Sequence, residues 1–412
     1  MNTTRTTHKS GLKLISHLMP DVPAVTFNIF VHTGSRFEDA ENAGVAHFFE
    51  HMVFKGTQKR PSPIQVMYEL ESIGAEVNAF TSQEYTCYYL KVLRENLDQG
   101  VDILTDAFVH SLLVEEEMDK ERNVIKEEKK MYEDDPSSFA DDMMLENLYP
   151  TDRYGRDIIG SYKTLDAINS NVMKDFIKKH YNYENTSIVV AGNVTHEQVE
   201  ALVDKYFDFD SYTHGVHDPI TYTQQKFEQA EYIFEREIQQ TQLRLSTYGV
   251  PFMHEDMYRY IISMAILGDG FGSKLSNEVR EKRGLAYSIY GYSSHWSRAG
   301  HITIGAGLQR DKVDEVKQIT KDEIHKLAEG DFTPEDLQRA KEVYKAGILM
   351  NMDTTNSWVW YLGLRDCIYN DKTDIKDIIH MIDEVNHEDV VRIMKKLESA
   401  EWMTTLVVPK AG

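Results

Sequence analysis

Cysteine is scarce in this chain: there are two in 412 residues, Cys87 and Cys367. That excludes a small scaffold stapled by disulfides. So few thiols in so long a chain fit a reducing compartment, with both cysteines read as small buried hydrophobes. Long apolar runs are missing too: no stretch reaches the roughly 18 residues of a membrane-spanning helix. The N-terminus MNTTRTTHKSGLKLI lacks the apolar segment of a secretory signal, so the simplest expected address is the cytoplasm. Positive charge is in deficit, with 45 Lys and Arg against 67 Asp and Glu and a net charge of −22. Neutralising phosphates needs a basic surface, so nucleic-acid binding is not expected. The acidic surplus leans toward cationic peptide substrates, although solubility alone accounts for it. What remains, 41% hydrophobic and 27% charged, is ordinary for a globular protein with length for about two to four domains.

Against that background, residues 47 to 51 read His-Phe-Phe-Glu-His. A helical turn takes about 3.6 residues, so His47, Glu50 and His51 project from one face. Two imidazoles so placed can grip one ion, and Zn²⁺ takes such ligands while leaving a position for water. Glu50 is then the candidate general base, in the inverted order H-x-x-E-H. The pentapeptide alone is equally compatible with a helix whose histidines are satisfied by ordinary hydrogen bonds.

A third ligand is needed from another element. The acidic stretch ERNVIKEEKKMYEDD offers Glu121, Glu127 and Glu128. Glu121 and Glu128 lie two turns apart and share a stripe with Val124 and Ile125, whereas Glu127 is rotated about 100° away. A carboxylate on an apolar stripe is costly unless it is paired or holds an ion, which favours Glu128 as ligand and Glu121 as its supporting partner. The alternative is an amphipathic surface helix with an acidic rim.

The runs GVAHFFEHMVFKGT, GAEVNAFTSQEYTCYY, ERNVIKEE and VREKRGLAYSIYG, in that order along nearly the whole chain, resemble the M16 metallopeptidases of the pitrilysin and insulinase type, most closely the short processing-peptidase branch. Glu128 falls 77 residues after His51, as that family's third zinc ligand does. The resemblance implies one Zn²⁺ per chain on His47, His51 and Glu128, with Glu50 as general base and Glu121 supporting the ligands. It also implies that Asn78, Ala79 and Phe80 bind substrate backbone near the cleavage site, and that Arg280 and Tyr287 help hold substrate near the zinc. From the residues themselves, the stretch after Gly74 reads as a strand, and an edge strand takes an extended peptide by backbone pairing. An internal strand fits those residues equally well.

The two halves of the chain resemble each other at a shift of about 210 to 218 residues: 25–39 matches 241–256, and 168–190 matches 385–408. The expected fold is therefore α+β, with two homologous domains, each a mainly antiparallel sheet with helices packed on it. The expected boundaries are a zinc-binding domain at 1–207, a polar linker at 208–231 and a homologous domain at 232–412. Positions 47, 50 and 51 map to Ser263, Ile266 and Leu267 in the second half, where no ligand set is possible. The glycines of LGDGFGS (267–273) lack the Walker lysine and a following ribose-binding acid, so a nucleotide loop is not expected. Longer relatives of the resembled family carry four such domains in one chain. Two domains imply a homodimer in which Arg280 and Tyr287 complete the partner's site, or a heterodimer with an inactive paralogue. The expected activity is zinc-dependent endopeptidase action on short or unfolded peptides. The alternative is a non-catalytic peptide-binding or structural subunit of such a complex.

Overall fold

Eleven strands carry the architecture of the computed structural model, which describes residues 2–208, 212 and 222–410. In the first half they are β1 (Thr3–Thr7), β2 (Lys13–Leu18), β3 (Ala24–Val31), β4 (Glu76–Thr81), β5 (Thr86–Leu93) and β6 (Thr186–Gly192), ordered β1-β2-β6-β3-β5-β4. In the second half they are β7 (Glu231–Arg236), β8 (Thr241–Tyr248), β9 (Ala286–His295), β10 (Gly300–Leu308) and β11 (Met403–Pro409), ordered β7-β11-β8-β10-β9. Without β1, the two orders are the same. Each sheet has one parallel pair, β2 with β6 and β7 with β11, and is otherwise antiparallel. The duplication is thus a duplication of topology, and the α+β expectation holds.

The domain boundaries need correction. The chain forms two compact units, one of residues 1–130, 156–221 and 351–371, the other of 131–155, 222–350 and 372–412. Each half lends one helical segment to the other half's sheet, so 131–155 leaves the first domain and 351–371 leaves the second. The lent helices, Pro136–Leu148 and Thr355–Leu362, occupy equivalent places in the repeat, packing on β8 and β11 and on β3 and β6 respectively. Most of the expected linker, 209–211 and 213–221, lies outside the described residues.

The lent segment explains why both faces of β3 are buried although its sequence alternates polar and apolar. Phe27 and Ile29 face the main core of the first unit. On the other face Thr26 Oγ1 meets Thr355 Oγ1 at 2.7 Å, and Phe30 meets the Trp360 ring edge-on at 5.2 Å. Alternation here separates two kinds of interior, not core from solvent. In the second unit, the fully buried Arg244 of β8 donates from Nε to Asp141 at 2.6 Å and from Nη2 to the Ser137 carbonyl at 3.0 Å. A buried guanidinium survives only when paired in this way.

Candidate metal centre

The helix Val45–Met52 buries Val45, Ala46, His47, Phe48, Phe49 and Met52. An eight-residue helix this enclosed takes its position from its surroundings, not from intrinsic propensity. It starts at Gly44 in the left-handed region, φ 95°, where a Cβ would stand 2.2 Å from the Ile159 carbonyl oxygen. The reciprocal contact is as tight: a Cβ on Gly160 would stand 2.2 Å from the Ala43 oxygen. Only glycine allows this close an approach.

The acidic helix spans Glu115–Asp134 and turns Glu121, Ile125 and Lys129 inward. Ile125 is fully buried, but Val124 is 53% exposed, so the expected stripe is narrower than its sequence suggests. Glu128 Oε2 lies 3.3 Å from His51 Nε2 and 3.7 Å from His47 Nε2. Glu121 Oε1 lies 2.8 Å from His51 Nδ1, and its Oε2 is 2.5 Å from Lys55 Nζ. The basic residues between these carboxylates dock the helix elsewhere: Arg122 donates to the Leu165 and Ile168 carbonyls, and Lys129 to Asp157. Glu127 is absent from this convergence.

Burial, then the charge of His51, lowers the His47 pKa to about 4, so its imidazole is neutral and ready to ligate. For His51, burial works downward, but hydrogen bonds with Glu121 and Glu128 and the charge of Glu50 prevail and raise it to about 9. The Glu128 carboxyl is lowered by its hydrogen bond with His51 despite desolvation. Burial would raise Glu121, but His51 and Lys55 outweigh it and the net shift is downward. Glu50 is raised, chiefly by burial, against the pull of Thr81, whose Oγ1 donates to Glu50 Oε2 at 2.7 Å.

One atom each from His47, His51 and Glu128 lie within 4.8 Å of one another, a group able to hold a metal ion. Around a tetrahedral zinc with bonds of about 2.0–2.2 Å, ligand atoms stand roughly 3.4 Å apart, so the donor set fits. Support for the two imidazoles is unequal. Glu121 fixes His51 through Nδ1, whereas His47 Nδ1 is buried with no hydrogen-bond partner among the described residues.

Strand β4 is at the edge of its sheet, beyond β5. Val77 and Ala79 pack toward the main core, while Phe80 joins Tyr85 and Trp360 on the opposite face. Asn78 is exposed, and its Oδ1 accepts the Ala79 N–H at 2.9 Å. In the second unit, Arg280 is stacked between two strongly exposed rings, 4.9 Å from the centre of Phe271 and 5.5 Å from that of Tyr287. Three neighbours are not found by sequence reasoning: Thr81 on Glu50, Lys55 on Glu121, and Phe271 on Arg280. Thr81 has a signal, since it shares the side of β4 used by Val77 and Ala79; the other two have none.

No helix among the described residues is long and apolar enough to cross a membrane, and Cys87 and Cys367 are free and buried. Residues 13–161 match the family described as Insulinase (Peptidase family M16), and residues 167–344 match the Peptidase M16 inactive domain. The chain belongs to peptidase family M16. It is 31% identical over 411 residues to the uncharacterized zinc protease YmxG of Bacillus subtilis, covering 99% of this chain and 98% of that protein. It is 32% identical to an uncharacterized zinc protease of Streptomyces coelicolor, covering 94% of this chain and 85% of that one. Two solved structures share the fold: a protease from Helicobacter pylori, with TM-score 0.90, 22% identity and 99% of each chain covered, and a peptidase M16 inactive domain from Pseudomonas fluorescens, with TM-score 0.91, 20% identity and 100% and 99% covered.

Proposed function

We propose that this chain is a zinc-dependent endopeptidase that hydrolyses short or unfolded peptides. The observation that carries the reading is the convergence of two imidazoles and a carboxylate beside a half-buried Glu50 that is held by Thr81. His47, His51 and Glu128 hold one Zn²⁺ per chain, and Glu121 orients His51. Zinc held there supplies Lewis acidity for the scissile carbonyl and acidifies water toward a pKa of about 7. A peptide adds to the open edge of β4, where Asn78, Ala79 and Phe80 bind its backbone and leave its side chains loosely specified. Glu50 accepts the proton of the attacking water and later gives it to the leaving amine, a role suited to a carboxyl whose pKa burial raises above the ordinary carboxylate value. Thr81 fixes which way that carboxylate faces.

In this reading the chain works as a dimer, and Arg280 and Tyr287 reach substrate from the partner, where guanidinium and phenol donate to the developing oxyanion. The exposure of Tyr287 supports an intermolecular use. The two free buried thiols support a reducing setting, the cytoplasm. The test is to incubate purified protein with a mixed peptide library, with and without chelator, and to map every cut by mass. Cleavage that stops with chelator and returns with Zn²⁺ is expected. Chelator-independent cleavage would refute the zinc mechanism, and a zinc-loaded dimer that cuts nothing would favour a non-catalytic subunit.

A further inference from the structure

Glu38 is a completely buried carboxylate at the start of the metal helix, and the chemistry above does not use it. Its residue has no solvent exposure. Oε2 accepts the Gly44 N–H and Oε1 the Ala46 N–H, each at 2.8 Å, while the Val45 N–H goes to the Asn42 carbonyl at 3.0 Å. The first N–H groups of a helix have no partner within it. Here Gly44 and Gly160 bring backbone against backbone, so the end of the helix is shut in and one carboxylate serves both sides of its first turn. Burial pushes the Glu38 carboxyl up to about 8, against the two N–H bonds and the charge of Arg156. Arg156 also ties Glu38 in place from its other side, Nη1 donating to the Glu38 carbonyl at 2.6 Å.

His47 follows Ala46 directly and is the ligand whose ring has no hydrogen-bond partner at Nδ1 among the described residues. The ring is buried and packs edge-on against His51 at 4.7 Å, but no hydrogen bond at Nδ1 fixes it, so its aim depends on the backbone of the first turn. His51, one turn later, is held independently by Glu121. We propose that Glu38 is a positioning residue for zinc: by clamping Gly44 and Ala46 it sets the direction of His47, as Glu121 does for His51. The inference rests on the zinc-site reading of His47, His51 and Glu128, but not on peptide cleavage.

The test compares zinc affinity, measured by competition with a chromophoric chelator in the absence of peptide, across the wild type, Glu38→Gln and Val199→Ala. Gln keeps one acceptor but turns an N–H₂ toward a backbone N–H. Val199, fully buried on a different helix, controls for general loss of stability. Glu38→Gln should weaken zinc binding about 10- to 100-fold, the usual effect of losing a group that orients a ligand. Val199→Ala should lower Tm yet leave affinity within about threefold, the ordinary context scatter. With Co²⁺ in place of Zn²⁺, Glu38→Gln should also alter the visible absorption band, whereas Val199→Ala should not. A folded Glu38→Gln protein with wild-type affinity and an unchanged Co²⁺ spectrum would overturn the proposal. If Glu38→Gln does not fold, amide exchange on the wild type decides: Gly44 and Ala46 N–H should be strongly protected, and exchange at loop rates would overturn it. A wild type that binds zinc but cuts no peptide would sink the peptidase reading and leave this one standing.

Discussion

The helix Val45–Met52 and its counterpart Met257–Leu267 occupy the same place in two copies of one topology, yet they carry different residues. In the first copy one side of the helix carries His47, Glu50 and His51. In the second, the mapped positions hold Ser263, Ile266 and Leu267, all fully buried. Both helices are enclosed, so a nearly apolar sequence is enough to keep either in place. The histidines and glutamate of the first therefore add chemistry that the fold does not need. They are also expensive to keep there, because each desolvated polar group needs a partner. The first copy supplies such partners for two of the three, Glu121 for His51 and Thr81 for Glu50. The surface of the second copy offers instead the exposed stack of Phe271, Arg280 and Tyr287.

Substitutions on the active side of this comparison should sort by how directly they touch the reaction. Glu50→Gln should cost the most, lowering kcat about 10²- to 10⁴-fold with zinc content and Tm unchanged, as measured by peptide turnover and elemental analysis. Wild-type turnover in that variant would remove Glu50 from the general-base role. Glu121→Ala should come next. It frees His51 Nδ1 and leaves Lys55 unpaired, weakening zinc roughly 10- to 100-fold in chelator competition; an unchanged affinity would make Glu121 a bystander. Thr81→Val should have the smallest effect and a pH-dependent one. Glu50 must be ionised to take a proton, burial already raises its pKa, and Thr81 works against that rise. Loss of the hydroxyl raises it further, so the acidic limb of kcat/KM should move to higher pH. Below that limb activity should fall about fivefold, the worth of one hydrogen bond, and it should be preserved at alkaline pH. A limb that stayed put or moved to lower pH would contradict the contact.

Much of this site is legible in the amino-acid sequence because its signals are local or repeated. His47, Glu50 and His51 are bound together by one helical turn, Glu121 and Glu128 by two. The duplication is visible as matched strands, and the sheets reproduce it. What escapes is nonlocal. The exchange of 131–155 for 351–371 breaks contiguous boundaries, and no composition shift marks it, because a helical segment reads the same whichever sheet receives it. Val124 reads as core beside Ile125, but a helix clamped by Arg122 and Lys129 shows a narrower face to the interior. The pairing of Lys55 with Glu121 spans 66 residues, and nothing in either neighbourhood announces it. Glu38 reads as one more acid in an acidic chain until the closed end of the helix shows what it serves.

The asymmetry between the halves is tested most directly by counting zinc. Elemental analysis of the purified wild type should give one zinc per chain. The double variant His47→Ala, His51→Ala, confirmed as folded by circular dichroism, should give none. Two zinc ions per chain, or one retained in the double variant, would place a metal site outside the first copy and contradict the account.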